Sequence, residues 1–85
     1  PVLRLIVETL AGEMNVSPSL LDPERSLIQI GGDSLAAVGL CDTLQERLGV
    51  RLPVSEVLLD KPLRQVAAKV RELALAAGRL PEETE

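Results

Sequence analysis

The sequence predicts an all-α fold: a small helical bundle of three main helices, with a short third helix ahead of the last one and a long first loop. Two patterns carry this. Apolar residues return every three or four positions in three separate runs, the period of a helix with one buried face, and Gly and Pro gather between those runs. A third observation sets the kind of core: 46% of the 85 residues are apolar, yet Phe, Tyr and Trp are absent. Packing must therefore be aliphatic, and a chain of this length buries only about 60–65% of its unfolded surface, enough for one modest core. A single domain is expected over residues 1–77.

Leu3, Ile6, Val7, Leu10 and Met14 predict a first helix over 2–14, weakened near its end by Gly12. Residues 15–33 contain Pro18, Pro23, Gly31 and Gly32 and no sustained period, so they read as a long ordered loop. A loop of that length is usually functional or held down by its own side chains. Leu20, Leu21, Leu27, Ile28 and Ile30 are its expected anchors, and Ser17 before Pro18 can start a short helical turn. The second helix is predicted over 34–48, stopped by Gly49, with Ala37, Leu40, Cys41, Leu44 and Leu48 on its buried stripe. Leu35 and Val38 fall off that stripe. Residues 53–59 allow one or two turns with Val54, Val57 and Leu58 inward. The last helix begins near Pro62 and carries Leu63, Val66, Ala67, Val70 and Leu73 or Ala74 on one side. Residues 78–85 turn to Gly, Pro and Glu and read as a flexible tail or linker.

Charge excludes more than it identifies. The net charge is −4, but Glu82, Glu83 and Glu85 supply three of thirteen acids, which leaves ten against nine bases. A body so close to neutral is a poor match for nucleic acid or an anionic membrane, and a chain without aromatic residues cannot stack bases. No apolar run reaches the length of a membrane span and no signal peptide is visible, so a cytoplasmic location is expected. Cys41 is the only cysteine, which rules out an internal disulfide, and with no histidine in the chain no metal site is expected. On the core stripe with no basic neighbour, Cys41 reads as packing rather than as a reactive thiol. The chain opens on Pro1 rather than Met, the start expected of an excised domain or a processed protein.

The segment that carries chemistry is Gly31-Gly32-Asp33-Ser34-Leu35. It sets a serine after a glycine pair and before a helix-patterned run, so its hydroxyl faces solvent at a helix start. Free backbone N–H groups and the positive end of the helix dipole there both favour an anion. Asp33 and Ser34 are both good helix caps, so the bland reading of the motif is a turn and a cap. The letters Gly32-Asp33-Ser34-Leu35 are also those of the GDSL esterases and lipases. A nucleophilic serine of that kind needs a base, usually a histidine oriented by a carboxylate, and this chain has no histidine.

The other resemblance covers nearly the whole chain. Ile28 through Leu35, then Leu48-Gly49-Val50-Arg51-Leu52-Pro53, then Val66-Ala67 are similar to the motifs of the phosphopantetheine carrier domains, the acyl and peptidyl carrier proteins. Two departures stand out: Leu27 and Leu58 lie near places where the family often has aromatic residues, and Lys61-Pro62 replaces the common Pro-Thr. The resemblance implies an acyl-carrier-protein-like bundle without catalytic residues of its own. It implies that Ser34 carries 4′-phosphopantetheine, taken from coenzyme A by a phosphopantetheinyl transferase that approaches beside Asp33. Leu35 and Val38, apolar beside that serine and not needed by the core, are the expected partner-contact residues. The partners implied are adenylation, condensation, ketosynthase or acyltransferase and tailoring enzymes, met by a monomeric carrier of thioester-bound aminoacyl or acyl groups.

The glycine pair and the sparse acids of the second helix favour nonribosomal-peptide or hybrid peptide-polyketide synthesis. Asp33 pulls towards acyl carriers of polyketide or fatty-acid synthesis. A helical interaction module that never bears the group is the alternative from another class.

Overall fold

The computed structural model describes residues 2–78. Its helices are α1 (Val2–Met14), α2 (Ser34–Leu48), α3 (Val54–Leu58) and α4 (Leu63–Ala76), with a 3-10 turn at Pro18–Leu20. No strand occurs among the described residues, and the all-α bundle follows the sequence-based order element by element. The proposed tail, apart from Gly78, lies outside the described residues.

α1 packs on both α2 and α4, and α3 on α2. Val2, Ile6, Leu10 and Ala11 are the buried residues of α1, while Leu3, Val7 and Met14 are only partly covered. The expected stripe is thus rotated. Leu5 also packs partly on the core, so α1 is apolar on most sides, and its two helical neighbours decide which column lies deepest. The helix ends on Asn15 at φ 58°. There Asn15 N–H donates to the Gly12 carbonyl (3.3 Å) and Val16 N–H to that of Ala11 (3.0 Å), the paired bonds of a Schellman motif.

α2 buries Ala36, Ala37, Leu40 and Leu44, while Cys41 and Leu48 are half-buried. The extra Ala36 is small enough to sit in the first turn against the core. Gly49, at φ 65°, ends the helix, its N–H donating to the Gln45 carbonyl at 3.0 Å. In α3 Val57 is buried and Val54 and Leu58 are partly so. α4 buries Leu63, Val66, Ala67, Val70 and Ala74, and Leu73 is the half-buried alternative.

Pro62 precedes α4 and offers no side chain to cap it. The first amides of α4 instead donate across the domain, Leu63 N–H to the Arg25 carbonyl and Arg64 N–H to the Pro23 carbonyl, both at 2.9 Å. This answers the need of every helix start for external acceptors. It also fastens the long loop along the foot of α4. Arg64 and Glu24 add an exposed ion pair at 2.6 Å, which contributes little beside the backbone bonds.

Not all of the expected loop anchors point inward. Leu21 and Leu27 are buried and Ile30 is half-buried, but Leu20 is 71% and Ile28 52% exposed. In each adjacent pair only one residue can face the core: Leu21 follows the 3-10 turn inward and Leu20 is left outside, and Leu27 takes the interior position beside Ile28.

Candidate functional site

The segment leading to Ser34 is a single helical turn with a cap at each end. Ser26 opens it. Its N–H donates to Gln29 Oε1 at 3.0 Å, and the Gln29 N–H donates back to Ser26 Oγ at 3.2 Å. This reciprocal pair is a capping box. Ile30 N–H then donates to the Ser26 carbonyl at 3.1 Å, the helical bond of the turn.

The glycine pair closes it, each glycine for its own reason. Gly31 sits at φ 90°, where a side chain is disfavoured, and its N–H donates to the Ile28 carbonyl at 3.0 Å. Gly32 N–H donates to the Leu27 carbonyl at 2.9 Å, completing a Schellman motif. A β-carbon at position 32 would overlap the Leu27 side chain, so only glycine fits against it. The pattern Ser26-x-x-Gln29 followed by Gly31 is the sequence signal for this turn. Reading the stretch only for apolar period missed it.

Asp33 then starts α2. Its backbone is extended (φ −129°, ψ −176°) and its Oδ1 accepts from Ala36 N–H at 3.0 Å. Asp33 is therefore the N-cap, and Ser34 is the first residue of the helix, exposed. Among the described residues the Ser34 hydroxyl has no hydrogen-bond partner. The first turn of α2 holds no acidic residue after the cap, so the positive end of a fifteen-residue helix is opposed there only by Asp33.

The structure brings the sequence-designated residues together. Leu35 is the chain neighbour of Ser34 and is 74% exposed, and Val38, four residues on and so on the same helix face as Ser34, is 42% exposed. Four further exposed apolar residues, Val16, Leu20, Ile28 and Leu59, were not foreseen as exposed. Ile28 belongs to the capped turn, and Leu59 adjoins Asp60, whose carboxylate accepts from Ser26. Cys41 lies lower on α2, half-buried, with its thiol pKa raised by burial and then by the neighbouring Asp42 charge. A thiol held protonated in this way is a poor nucleophile.

Chemically, this arrangement presents one free hydroxyl on a backbone fixed from both sides, with no group among the described residues hydrogen-bonded to it to take its proton. Such a serine is open to a group delivered from outside. An anionic phosphodiester suits the site: the hydroxyl is unencumbered and the free N–H groups of the first turn face the same end of the helix.

Comparison with known proteins shows which family the chain matches. A family model described as a phosphopantetheine attachment site matches residues 4–70. The chain is 43% identical over 53 residues to the NRPS-like tryptophan epimerase fscC of Fusarium equiseti, covering 62% of this chain and 4% of that protein. It is 35% identical over 72 residues to the nonribosomal peptide synthetase ataP of Aspergillus terreus, covering 85% of this chain and 5% of the relative. To the highly reducing polyketide synthase otaA of Aspergillus niger it is 38% identical over 82 residues, 96% of this chain and 3% of that one. The chain thus spans about one-twentieth or less of the length of these relatives.

Proposed function

This chain belongs to the phosphopantetheine attachment family, and from that membership we propose that Ser34 is the residue bearing the group in a carrier domain of nonribosomal-peptide or hybrid peptide-polyketide synthesis. The observation that carries the assignment is the exposed, unpartnered hydroxyl of Ser34 at the first position of α2, directly after a turn locked by Gly31 and Gly32.

Each neighbouring residue has a part. Asp33 caps α2 and so fixes the direction in which Ser34 leaves the helix start. It also leaves a carboxylate beside the hydroxyl, where a transferase and its metal ion would approach. The Ser34 oxygen forms the new bond to phosphorus as coenzyme A loses its nucleotide, and its proton passes to a base outside this chain. Once attached, 4′-phosphopantetheine supplies a terminal thiol that holds an aminoacyl or acyl group as a thioester. The domain itself then needs only to be recognised and released. Leu35 and Val38 offer the apolar contact for that recognition, and tethering keeps the cargo at high effective concentration for each partner site.

The peptide branch is supported by the near-neutral body and by the two nonribosomal-type relatives. The polyketide relative, matched over nearly the whole chain, favours an acyl-carrier role as the second reading. The test is an intact-mass measurement after incubation with coenzyme A and a broad-specificity phosphopantetheinyl transferase. One added phosphopantetheine group is expected, and none on Ser34→Ala. Modification at Ser17, Ser19, Ser26 or Ser55 would sink the assignment. Aminoacyl loading of the holo chain by an adenylation enzyme would separate the peptide from the acyl branch.

A further inference from the structure

Ser26 is the one fully buried polar side chain among the described residues, 1% exposed. Its hydroxyl donates to Asp60 Oδ1 at 2.7 Å while accepting from the Gln29 amide. Asp60 is exposed and lies between α3 and α4, thirty-four residues further along the chain. A bond from a hydroxyl to a carboxylate at this distance is charge-assisted and stronger than a neutral pair. The buried proton of Ser26 has no other acceptor among the described residues, so losing Asp60 would leave it unsatisfied.

Two sets of fastenings therefore hold the loop. Pro23 and Arg25 are tied to α4 by backbone bonds that do not involve Asp60. The turn after them, Leu27 to Gly32, is tied to the α3–α4 link through Ser26 and Asp60. Resting on the reading of Ser34 as the attachment residue, we infer that Asp60 is a positioning residue for its loading. By holding the Ser26 capping box it keeps the turn, and the start of α2 with it, in the arrangement the transferase must meet.

The kinetic consequence is specific. Without Asp60 the turn samples other arrangements, and only the competent fraction binds; the apparent KM rises as the inverse of that fraction. Once bound, the loop is ordered as in the parent, so kcat does not change.

The experiment measures transfer from coenzyme A to the full apo chain for Asp60→Ala, Asp60→Asn, Ser26→Ala and the Ser26→Ala/Asp60→Ala pair. Asp60→Ala is expected to raise KM roughly three- to tenfold with kcat within about twofold of the parent. Asp60→Asn, which keeps an acceptor oxygen in place, should restore KM to within about twofold. The double variant should match Ser26→Ala alone, because both changes remove the same tie. Amide exchange at Ile30, Gly31 and Gly32 should quicken about tenfold while Leu44 and Val70 hold their protection.

An unchanged KM, an effect confined to kcat, or an asparagine variant no better than alanine would overturn the inference. So would additive effects in the double variant, which would mean that Asp60 touches the transferase, or equal loss of protection at Leu44 and Val70. The attachment reading is judged apart. Exhaustively loaded Asp60→Ala should still gain one group, whereas a loaded Ser34→Ala would defeat that reading itself.

Discussion

The side chain of Leu27 closes over the α-carbon of Gly32: a β-carbon there would overlap Leu27 Cδ1 and lie 2.7 Å from its Cγ, while the Gly32 N–H donates to the Leu27 carbonyl at 2.9 Å. Leu27 is fully buried and cannot swing aside. Gly32→Ala should therefore force the turn to shift, costing about 1–3 kcal/mol as overpacking does. Gly31→Ala meets no neighbour and pays only for its positive φ, about 1–2 kcal/mol. Urea denaturation measures both. A neutral Gly32→Ala would show that Leu27 is not held as described.

The two residues at the start of α2 should separate stability from loading. Asp33→Ala removes the bond to Ala36 N–H and should cost about 1 kcal/mol, the usual loss of a side-chain cap. Ser34→Ala touches only solvent and should stay within about 0.5 kcal/mol, yet abolish the mass gain. A Ser34→Ala chain that is strongly destabilised would point to a cap role instead.

The two sides of α2 differ in the same way. Leu44→Ala empties a fully buried site and should cost about 2–5 kcal/mol. Leu35→Asp alters an exposed position, so denaturation should barely change while loading by the transferase or a partner slows. The reverse order in denaturation would contradict the phase of the helix.

Cys41 gives a pH-dependent test. Burial raises its folded pKa above the unfolded value, so the fold favours the protonated thiol. That contribution is complete below the unfolded pKa and is lost as pH rises through the folded one. Iodoacetamide should accordingly modify the native chain more slowly than the urea-unfolded chain at pH 8, with the gap narrowing as pH rises. Faster native labelling would contradict the assigned shift.

Loading by a cognate partner should weaken only modestly between low and physiological salt, because exposed Leu35 and Val38 are uncharged and the body is near neutral. A steep fall in a salt titration would favour electrostatic recognition and the acyl-carrier branch.

The helix bounds were legible in the sequence because period and punctuation agree there: Gly49 ends α2, and Leu63, Val66, Ala67 and Val70 leave one choice of face for α4. α1 was less so. Its apolar residues ring most of the helix, and only the placement of α2 and α4 selects Val2 and Ala11 over Leu3 and Val7. In the site, the cap at Asp33 and the exposure of Ser34, Leu35 and Val38 were legible from local pattern. Asp60 was not, since its meaning comes from a bond to a residue thirty-four positions away. Ile28 was misplaced as an anchor because apolar identity alone does not say which of two adjacent residues faces in.

The borrowed acceptors at the foot of α4 tie the order of synthesis to readiness. Pro23 and Arg25 emerge from the ribosome about forty residues before the amides they satisfy, and until Leu63 and Arg64 arrive the loop is fastened only on the side where its 3-10 turn packs on α1. A nascent or truncated chain that stops short of α4 carries the same serine after a loop that lacks the two bonds to Leu63 and Arg64. On the reading of Ser34 as the attachment residue, the full set of fastenings before it is complete only when the last helix docks, so a transferase that reads this setting would favour finished chains.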